Sequence, residues 1–191
     1  MKTKQLLVIC AAAILICGLT ACKKSTKPFV GEYTYQTDGK ITISLATEDV
    51  DIPWSGVGQM QILKDKDEKG KVIIVKKSLS GDISTYGASI SGNEITVDEY
   101  TIEKEINAPN VSDISSLSDI IDQILGNSTR ANEDNAFKGK AKITVNSKGR
   151  LYDNTIIFEE TYSGLFYETS DIPFIGTIKS NDLKTIAKLN E

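Results

Sequence analysis

The stretch Gly31-Glu32-Tyr33-Thr34-Tyr35-Gln36-Thr37-Asp38-Gly39-Lys40-Ile41-Thr42-Ile43-Ser44-Leu45 alternates with a period of two. Tyr33 and Tyr35 share one face of its first part, and Ile41, Ile43 and Leu45 alternate with Thr42 and Ser44 in its second. Strict alternation puts one face in a core and the other in water, which is the pattern of a half-buried β-strand. Asp38-Gly39 stands between the two runs. Asp-Gly is a hairpin signal, because Gly tolerates the positive φ that a tight turn requires. The stretch therefore predicts a hairpin, with strands over Gly31 to Gln36 and Ile41 to Leu45 and a turn over Thr37 to Lys40.

The same period continues downstream. After a loop through Pro53, Met60 and Ile62 alternate with Gln59 and Gln61. Asp65 to Gly70 reads as a turn, and Lys71 to Lys77 (KVIIVKK) is strongly β-branched. A strand over about Ile83 to Ile90 follows, and Ser91-Gly92-Asn93 turns into Glu94 to Ile106. The phase of that last strand slips near Asp98-Glu99, which suggests a β-bulge. About six strands joined by short turns point to an antiparallel sheet curled into a barrel or sandwich.

Residues 107–137 interrupt the meander. Val111, Ile114, Leu117, Ile120, Ile121, Ile124 and Leu125 recur at helical spacing. Ser112 or Ser115 can cap this amphipathic helix, near residues 111–125, and Gly126 can stop it. Asp113, Asp119 and Asp122 make it acidic, so its apolar stripe is expected to pack on the sheet or across a barrel mouth rather than on an anionic membrane. Asn127 to Asn135 reads as a polar loop. Strands resume over Lys138 to Asn146, turn at Ser147-Lys148-Gly149, and continue over Arg150 to Thr161. A last strand is expected within Gly164 to Ile178, and Asn181 to Asn190 reads as a short terminal helix. The expected fold is mainly β: an antiparallel meander of about eight strands with one inserted helix.

Upstream of the meander the chain carries an address. Met1-Lys2-Thr3-Lys4-Gln5 precedes an apolar run from Leu6 to Leu19. A basic start and a run too short for a comfortable membrane span, which needs about 20 residues, make a secretory signal. The run ends in Leu19-Thr20-Ala21-Cys22, which resembles the lipobox of bacterial lipoproteins. The resemblance implies cleavage between Ala21 and Cys22 and acylation of Cys22. An ordinary signal peptide with a stray Cys, or a signal anchor, would read similarly. The expected organisation is a signal peptide over residues 1–21, a lipidated tether over 22–28 and a single barrel-like domain over 29–191. Lys23, Lys24 and Lys27 could each add about 1 kcal/mol of attraction to anionic headgroups. Position 23 is Lys, not the Asp that resembles an inner-membrane retention signal. No acidic cluster of the kind that resembles a surface-export signal follows. The expected location is the outer membrane, facing the periplasm.

Composition then removes function classes. The chain has 191 residues, no His, three Cys and a net charge of −4. A Ser-His-Asp or Cys-His catalytic unit cannot be built without His, nor can an imidazole zinc site. Cys10 and Cys17 leave with the signal, and the Cys22 thiol would carry lipid. The mature domain then has no free thiol and no disulfide. A mildly acidic chain without an Arg-rich stretch does not read as a nucleic-acid binder. No cofactor, metal or enzymatic activity is expected.

Three constellations could still carry chemistry. Asp65-Lys66-Asp67-Glu68-Lys69-Gly70 looks like a calcium loop, but Lys69 and Lys76 occupy the fifth and twelfth positions, where oxygen ligands are required. It reads as a solvated hairpin turn. The carboxylate pairs Glu103 with Glu105 and Glu159 with Glu160 could serve as acid and base only if they met across a cleft. Asp51-Ile52-Pro53-Trp54-Ser55-Gly56 echoes Asp171-Ile172-Pro173-Phe174-Ile175-Gly176. Pro fixes an extended lead-in, so Trp54 and Phe174 could offer stacking surfaces at one rim of a barrel. Two strand starts with similar turn chemistry would give the same echo.

A lipobox, a short tether, Gly31-Glu32-Tyr33, the meander and the hairpin-rich GDISTYGASISGNEITVDEY (Gly81 to Tyr100) together resemble the calycin-like, or lipocalin-like, lipoproteins of Bacteroides-type bacteria. The resemblance implies a closed or nearly closed barrel that holds a small apolar or amphipathic ligand inside or at its rim. Trp54, Phe174, Tyr33 and Tyr35 are the candidate contacts. The alternative expectation is a structural or interaction lipoprotein that holds an envelope partner and no small molecule.

Overall fold

A computed structural model describes residues 25–45, 49–108, 137–168 and 176–191. Nine strands form one antiparallel sheet: β1 (Gly31–Leu45), β2 (Asp49–Lys64), β3 (Lys71–Ser78), β4 (Ile83–Ser91), β5 (Glu94–Val97), β6 (Tyr100–Ala108), β7 (Phe137–Tyr152), β8 (Thr155–Glu168) and β9 (Gly176–Leu189). Apart from β5 and β6, each strand pairs with its sequence neighbours, and β1 also pairs with β9. β5 pairs with β4 on one side and with β7 on the other. The order β1-β2-β3-β4-β5-β7-β8-β9 thus returns to β1 as a ring of eight strands, and β6 continues along β7 beyond β5. The inserted helix near residues 111–125 lies outside the described residues. Asn107 and Ala108 belong to β6 and Phe137 to β7, so the insertion is shorter at both ends than the expected 107–137.

The expected hairpin at Asp38-Gly39 does not exist, because β1 runs straight through it. The cause lies in β9. That strand carries one residue more than β1 between the pairs Asp38–Lys184 and Thr42–Lys179, and one more than β8 between Glu160–Leu183 and Tyr162–Ser180. A bulge at that level pushes β9 toward β1. A Cβ on Gly39 would lie 2.9 Å from both the Asp182 carbonyl oxygen and the Leu183 Cα. Side chains replace the interrupted ladder: Ser180 Oγ donates to the Lys40 carbonyl at 2.6 Å, and the Lys40 N–H donates to Asp182 at 3.3 Å. Gly39 therefore supplies room for a bulged neighbour rather than a turn.

That bulge also explains why the C-terminus reads as a helix and folds as a strand. Ile178 and Ser180 face inward before it, and Leu183, Thr185 and Ala187 after it. A one-residue slip turns period-two spacing into separations of two, three and two, which imitates a helix. Ser147-Lys148-Gly149 corrects in the same way. β7 runs through it, and a Cβ on Gly149 would meet Phe158 Cδ1 at 2.6 Å and Ile95 Cγ2 at 2.8 Å. The real turn falls at Asp153-Asn154, where Asp153 takes a φ of 49°, a left-handed value that Asp tolerates. A single last strand within Gly164 to Ile178 is also corrected, since β8 runs on to Glu168 and β9 starts at Gly176. The bulge near Asp98-Glu99 is present: Thr96 faces Lys148 while Tyr100 faces Val145, so the β5–β6 side carries one extra residue.

Pro53 lies inside β2 rather than in a loop. It can do so because β3 pairs only with residues 58–64 of β2. Residues 49–57 pair with β1 alone among the described residues, and on such a one-sided stretch a missing N–H interrupts no second ladder.

Alternation along each strand fills the ring in two tiers. The lower tier, at the β1 start, packs Phe29, Tyr33, Met60, Ile62, Ile74, Ile90, Ile95 and Phe158. The upper tier packs Ile41, Ile43, Ile52, Trp54, Ile143, Val145, Ile178 and Leu183. Among the described residues both tiers and all nine strands fall between Phe29 and Leu189.

Candidate functional site

A polar layer separates the two tiers. Its centre is Glu160, which β8 presents inward between Phe158 and Tyr162 and which is 4 % exposed. Thr185 Oγ1 on β9 donates to Glu160 Oε1 at 2.7 Å, and the Tyr162 hydroxyl donates to Oε2 at 2.7 Å. Thr37 Oγ1 on β1 bonds the Thr185 hydroxyl. Lys76 reaches in from β3 and donates to Glu160 Oε1 at 3.4 Å. Its ammonium also sits 4.6 Å from the centroid of the Tyr35 ring, a cation–π distance. Tyr86 and Tyr100 stack beside this group, centroids 4.4 Å apart and rings 5° from parallel. Four β-strands on one side of the ring thus meet β3 and β4 on the other through side chains alone.

The electrostatics follow from that packing. Burial pushes the Glu160 carboxyl up, but the Lys76 charge together with the Tyr162, Thr185 and Lys76 hydrogen bonds outweighs it and holds the group below the usual carboxylate range. Burial first, and the Glu160 charge second, push the Tyr35 phenol up to about 12. Burial also drives the phenols of Tyr86, Tyr100 and Tyr162 far up. The layer is one carboxylate facing one ammonium, ringed by neutral phenols that stay hydrogen-bond donors at any physiological pH.

Gly58 makes room for this arrangement. It pairs with Tyr35 across β1 and β2, and a Cβ there would lie 2.2 Å from the Lys77 carbonyl oxygen and 2.7 Å from the Tyr35 hydroxyl. Gly58→Ala is expected to cost about 2 kcal/mol through overpacking. A urea titration checks this, and an unchanged midpoint would show that both the Lys77 backbone and the Tyr35 ring give way at little cost.

The residues singled out from the sequence end in different places. Tyr33 is 1 % exposed in the lower tier, and its hydroxyl donates to the Phe29 carbonyl at 2.9 Å. Tyr35 lies in the polar layer under Lys76. Trp54 is 9 % exposed in the upper tier, and among the described residues its indole Nε1 has no hydrogen-bond partner. Tyr33, Tyr35 and Trp54 are thus not brought to one rim. Phe174, Ala21 and Cys22 lie outside the described residues. Glu159 and Glu160 point to opposite faces of β8, and Glu103 is an exposed partner of Lys142 at 3.1 Å. The Asp65–Gly70 turn is closed by Asp65 Oδ1, which accepts the N–H groups of Asp67 at 2.8 Å and Glu68 at 3.1 Å. Among the described residues no group of three or more His, Cys, Asp or Glu could hold a metal ion.

Sequence reading missed the pairing of Glu160 with Lys76, although a signal for it exists. Each is a charge set in the apolar phase of its strand, Glu160 after Ile156 and Phe158, and Lys76 after Val72 and Ile74. Two such phase violations of opposite sign are the trace of a buried ion pair.

On the outer face the ring carries a concavity of about 560 Å³, lined by Glu94, Lys148, Arg150, Tyr152, Glu159 and Lys184. Arg150 contacts Glu94 across it. Comparison with known proteins matched no family model and no curated protein.

Proposed function

We propose that the chain is a lipoprotein of the outer membrane, anchored through Cys22 and facing the periplasm. Its lipocalin-like barrel holds a small apolar or amphipathic ligand at its upper end. The observation that carries this reading is the division of the interior. Phe29, Tyr33, Ile62, Ile74, Ile90, Ile95 and Phe158 fill the lower tier at 2 % exposure or less, and the hydrogen-bonded layer around Glu160 floors the upper one. Above that floor Ile41, Ile43, Ile143, Val145, Ile178 and Leu183 pack at 1 % exposure or less, with Ile52 at 4 % and Trp54 at 9 %. A ligand would enter at the Trp54 end by parting these side chains.

Native mass spectrometry of the acylated protein, purified from membranes of its own host, tests the reading. The expected result is a bound mass that organic extraction removes. A single species carrying only its acyl groups would overturn ligand binding. Replacing Cys22 by Ser is expected to abolish incorporation of labelled palmitate, and persistent labelling would overturn the anchor. The outer-face concavity favours a second reading, in which mixed charges and the half-exposed Tyr152 hold a protein partner. A partner crosslinked from that face in a Cys22-dependent manner, with no bound small molecule, would favour it.

A further inference from the structure

The concavity on the outer face of the ring measures about 560 Å³ and draws its lining from β5, β7, β8 and β9. That volume is within the range of small-molecule sites. Its apolar lining includes the half-buried Ile157 and the ring of Tyr152, which is 51 % exposed. Three cations, Lys148, Arg150 and Lys184, line it against two carboxylates, Glu94 and Glu159. Arg150 is engaged with Glu94. Lys148 and Lys184 have no ion-pair partner among the described residues. Both stand directly across from Glu159, Lys148 on β7 and Lys184 on β9, yet neither ammonium comes within ion-pair distance of its carboxylate. Asp38, opposite Lys184 on β1, accepts from Gln36 and does not line the concavity.

We infer that this concavity binds a small organic monoanion, a carboxylate on an apolar body. β7 and β9 flank β8, so the backbones of Lys148 and Lys184 stand about 10 Å apart, and two lysine side chains at that spacing can close on a single anion above β8. Ile157 lies on β8 two residues before Glu159, and with Tyr152 it offers the apolar body a surface beside the charge. The balance of charge fixes the sign of the ligand. With Arg150 and Glu94 neutralising each other, two cations face one carboxylate, and a monoanion cancels the excess. A cation would add to that excess and a dianion would overshoot it. Glu159 then acts as a brake, because it attracts both lysines and repels the incoming anion. The side chains of Lys148, Glu159 and Lys184 are exposed on the outer wall, so the site goes beyond the proposed interior ligand and stands or falls apart from it.

Two naphthalenes of the same shape supply the test. The protein purified from membranes of its own host, in nanodiscs of neutral lipid, is titrated with 2-naphthoate and with its uncharged isostere 2-naphthamide. Ligand-observed NMR, with empty nanodiscs as the blank, reads the binding. The expected dissociation constant of 2-naphthoate is about 1 mM, the value that an ordinary binding energy per atom gives for a ligand of its size. 2-Naphthamide is expected to bind at least about fivefold more weakly, since it forfeits both lysines. Lys148→Gln and Lys184→Gln are each expected to weaken naphthoate about threefold, the scale of an exposed charge pair, and Glu159→Gln to tighten it about threefold. Lys64→Gln, at an exposed position of β2 outside the concavity, is expected to change nothing. Equal binding of acid and amide would overturn the anionic class. Weaker binding in Glu159→Gln would overturn the monoanion in favour of a cation or zwitterion that uses that carboxylate. Lysine variants that behave like Lys64→Gln would overturn the assignment to this wall. A protein partner crosslinked there, with no naphthoate bound at tenfold the expected constant, would overturn the small-molecule site and give the wall to an interface.

Discussion

Glu160→Gln is expected to lower the unfolding free energy by about 3 kcal/mol, the cost of breaking a buried ion pair. Gln keeps the volume of the side chain and one acceptor oxygen. It removes the charge that Lys76 faces, and it turns an N–H₂ toward Thr185 or Tyr162, both of which donate to Glu160. Lys76 is 14 % exposed at its side chain against 5 % for Glu160, so it can swing partly into water and the loss stays near the lower end of the range for a buried pair. Lys76→Met makes the converse cut and leaves the carboxylate buried with only its two hydroxyl donors. The double variant is expected to lose at least 1 kcal/mol less than the sum of the single losses, because the second cut removes a group that the first has stranded. Urea denaturation of the four proteins closes the cycle, and additive losses would show that the pair contributes no coupling.

The same group sets an acid limit. Its folded-state pKa is depressed, so the stability it contributes is present above the unfolded carboxyl value of about 4.3 and is lost as the pH falls through the folded value. The urea midpoint of the wild type is therefore expected to fall below about pH 4, and Glu160→Gln should show a flatter profile there. Asp51 and Asp65 shift in the same direction through their hydrogen bonds. Both stand in solvent, where such pairs count for little, so a flat wild-type profile would mean that folding does not depress the Glu160 carboxyl.

Phe29→Ala should cost about 3–4 kcal/mol, the price of removing a large aromatic from a closed site. Phe29 is fully buried and ends a 3-10 turn, Lys27–Phe29, with Pro28 at its second position. The Phe29 N–H donates to the Thr26 carbonyl at 3.0 Å, and its own carbonyl accepts from Tyr33. These bonds fix the backbone, so the turn cannot collapse into the space a missing ring leaves. Phe29→Leu fills most of that space and is expected to lose less than half as much. Equal losses for Leu and Ala would show that the ring is recognised by shape rather than by volume.

The strands were largely legible and their ends were not, and particular residues show why. Ile41, Ile43, Ile62, Ile74, Ile90, Ile143 and Ile156 all face inward as their alternation requires. The errors cluster at Gly39, Gly149 and Asn181. A glycine needed as a turn and a glycine needed so that a neighbour can pass close look the same along the chain. Only the partner strand tells them apart: the bulge of β9 for Gly39, and Phe158 with Ile95 for Gly149. At Asn181 the bulge itself hid the strand by shifting its phase. Closure of the ring through β5 and β7 is a pairing between residues far apart in sequence, for which no local pattern exists. In the site, Trp54 stood out as the single Trp, but its unmet donor is a property of its neighbours.

The turn over Lys27–Phe29 has a directional consequence. With acyl chains on Cys22, the residues up to Phe29 can span at most about 25 Å even fully extended. On the proposed anchoring, the tier sealed by Phe29 would lie nearest the bilayer, and the tier of Trp54 at the far end. A ligand of that end could then not slide in from a membrane held at Cys22. It would have to arrive through the aqueous space, or be handed over by another molecule reaching from the opposite side.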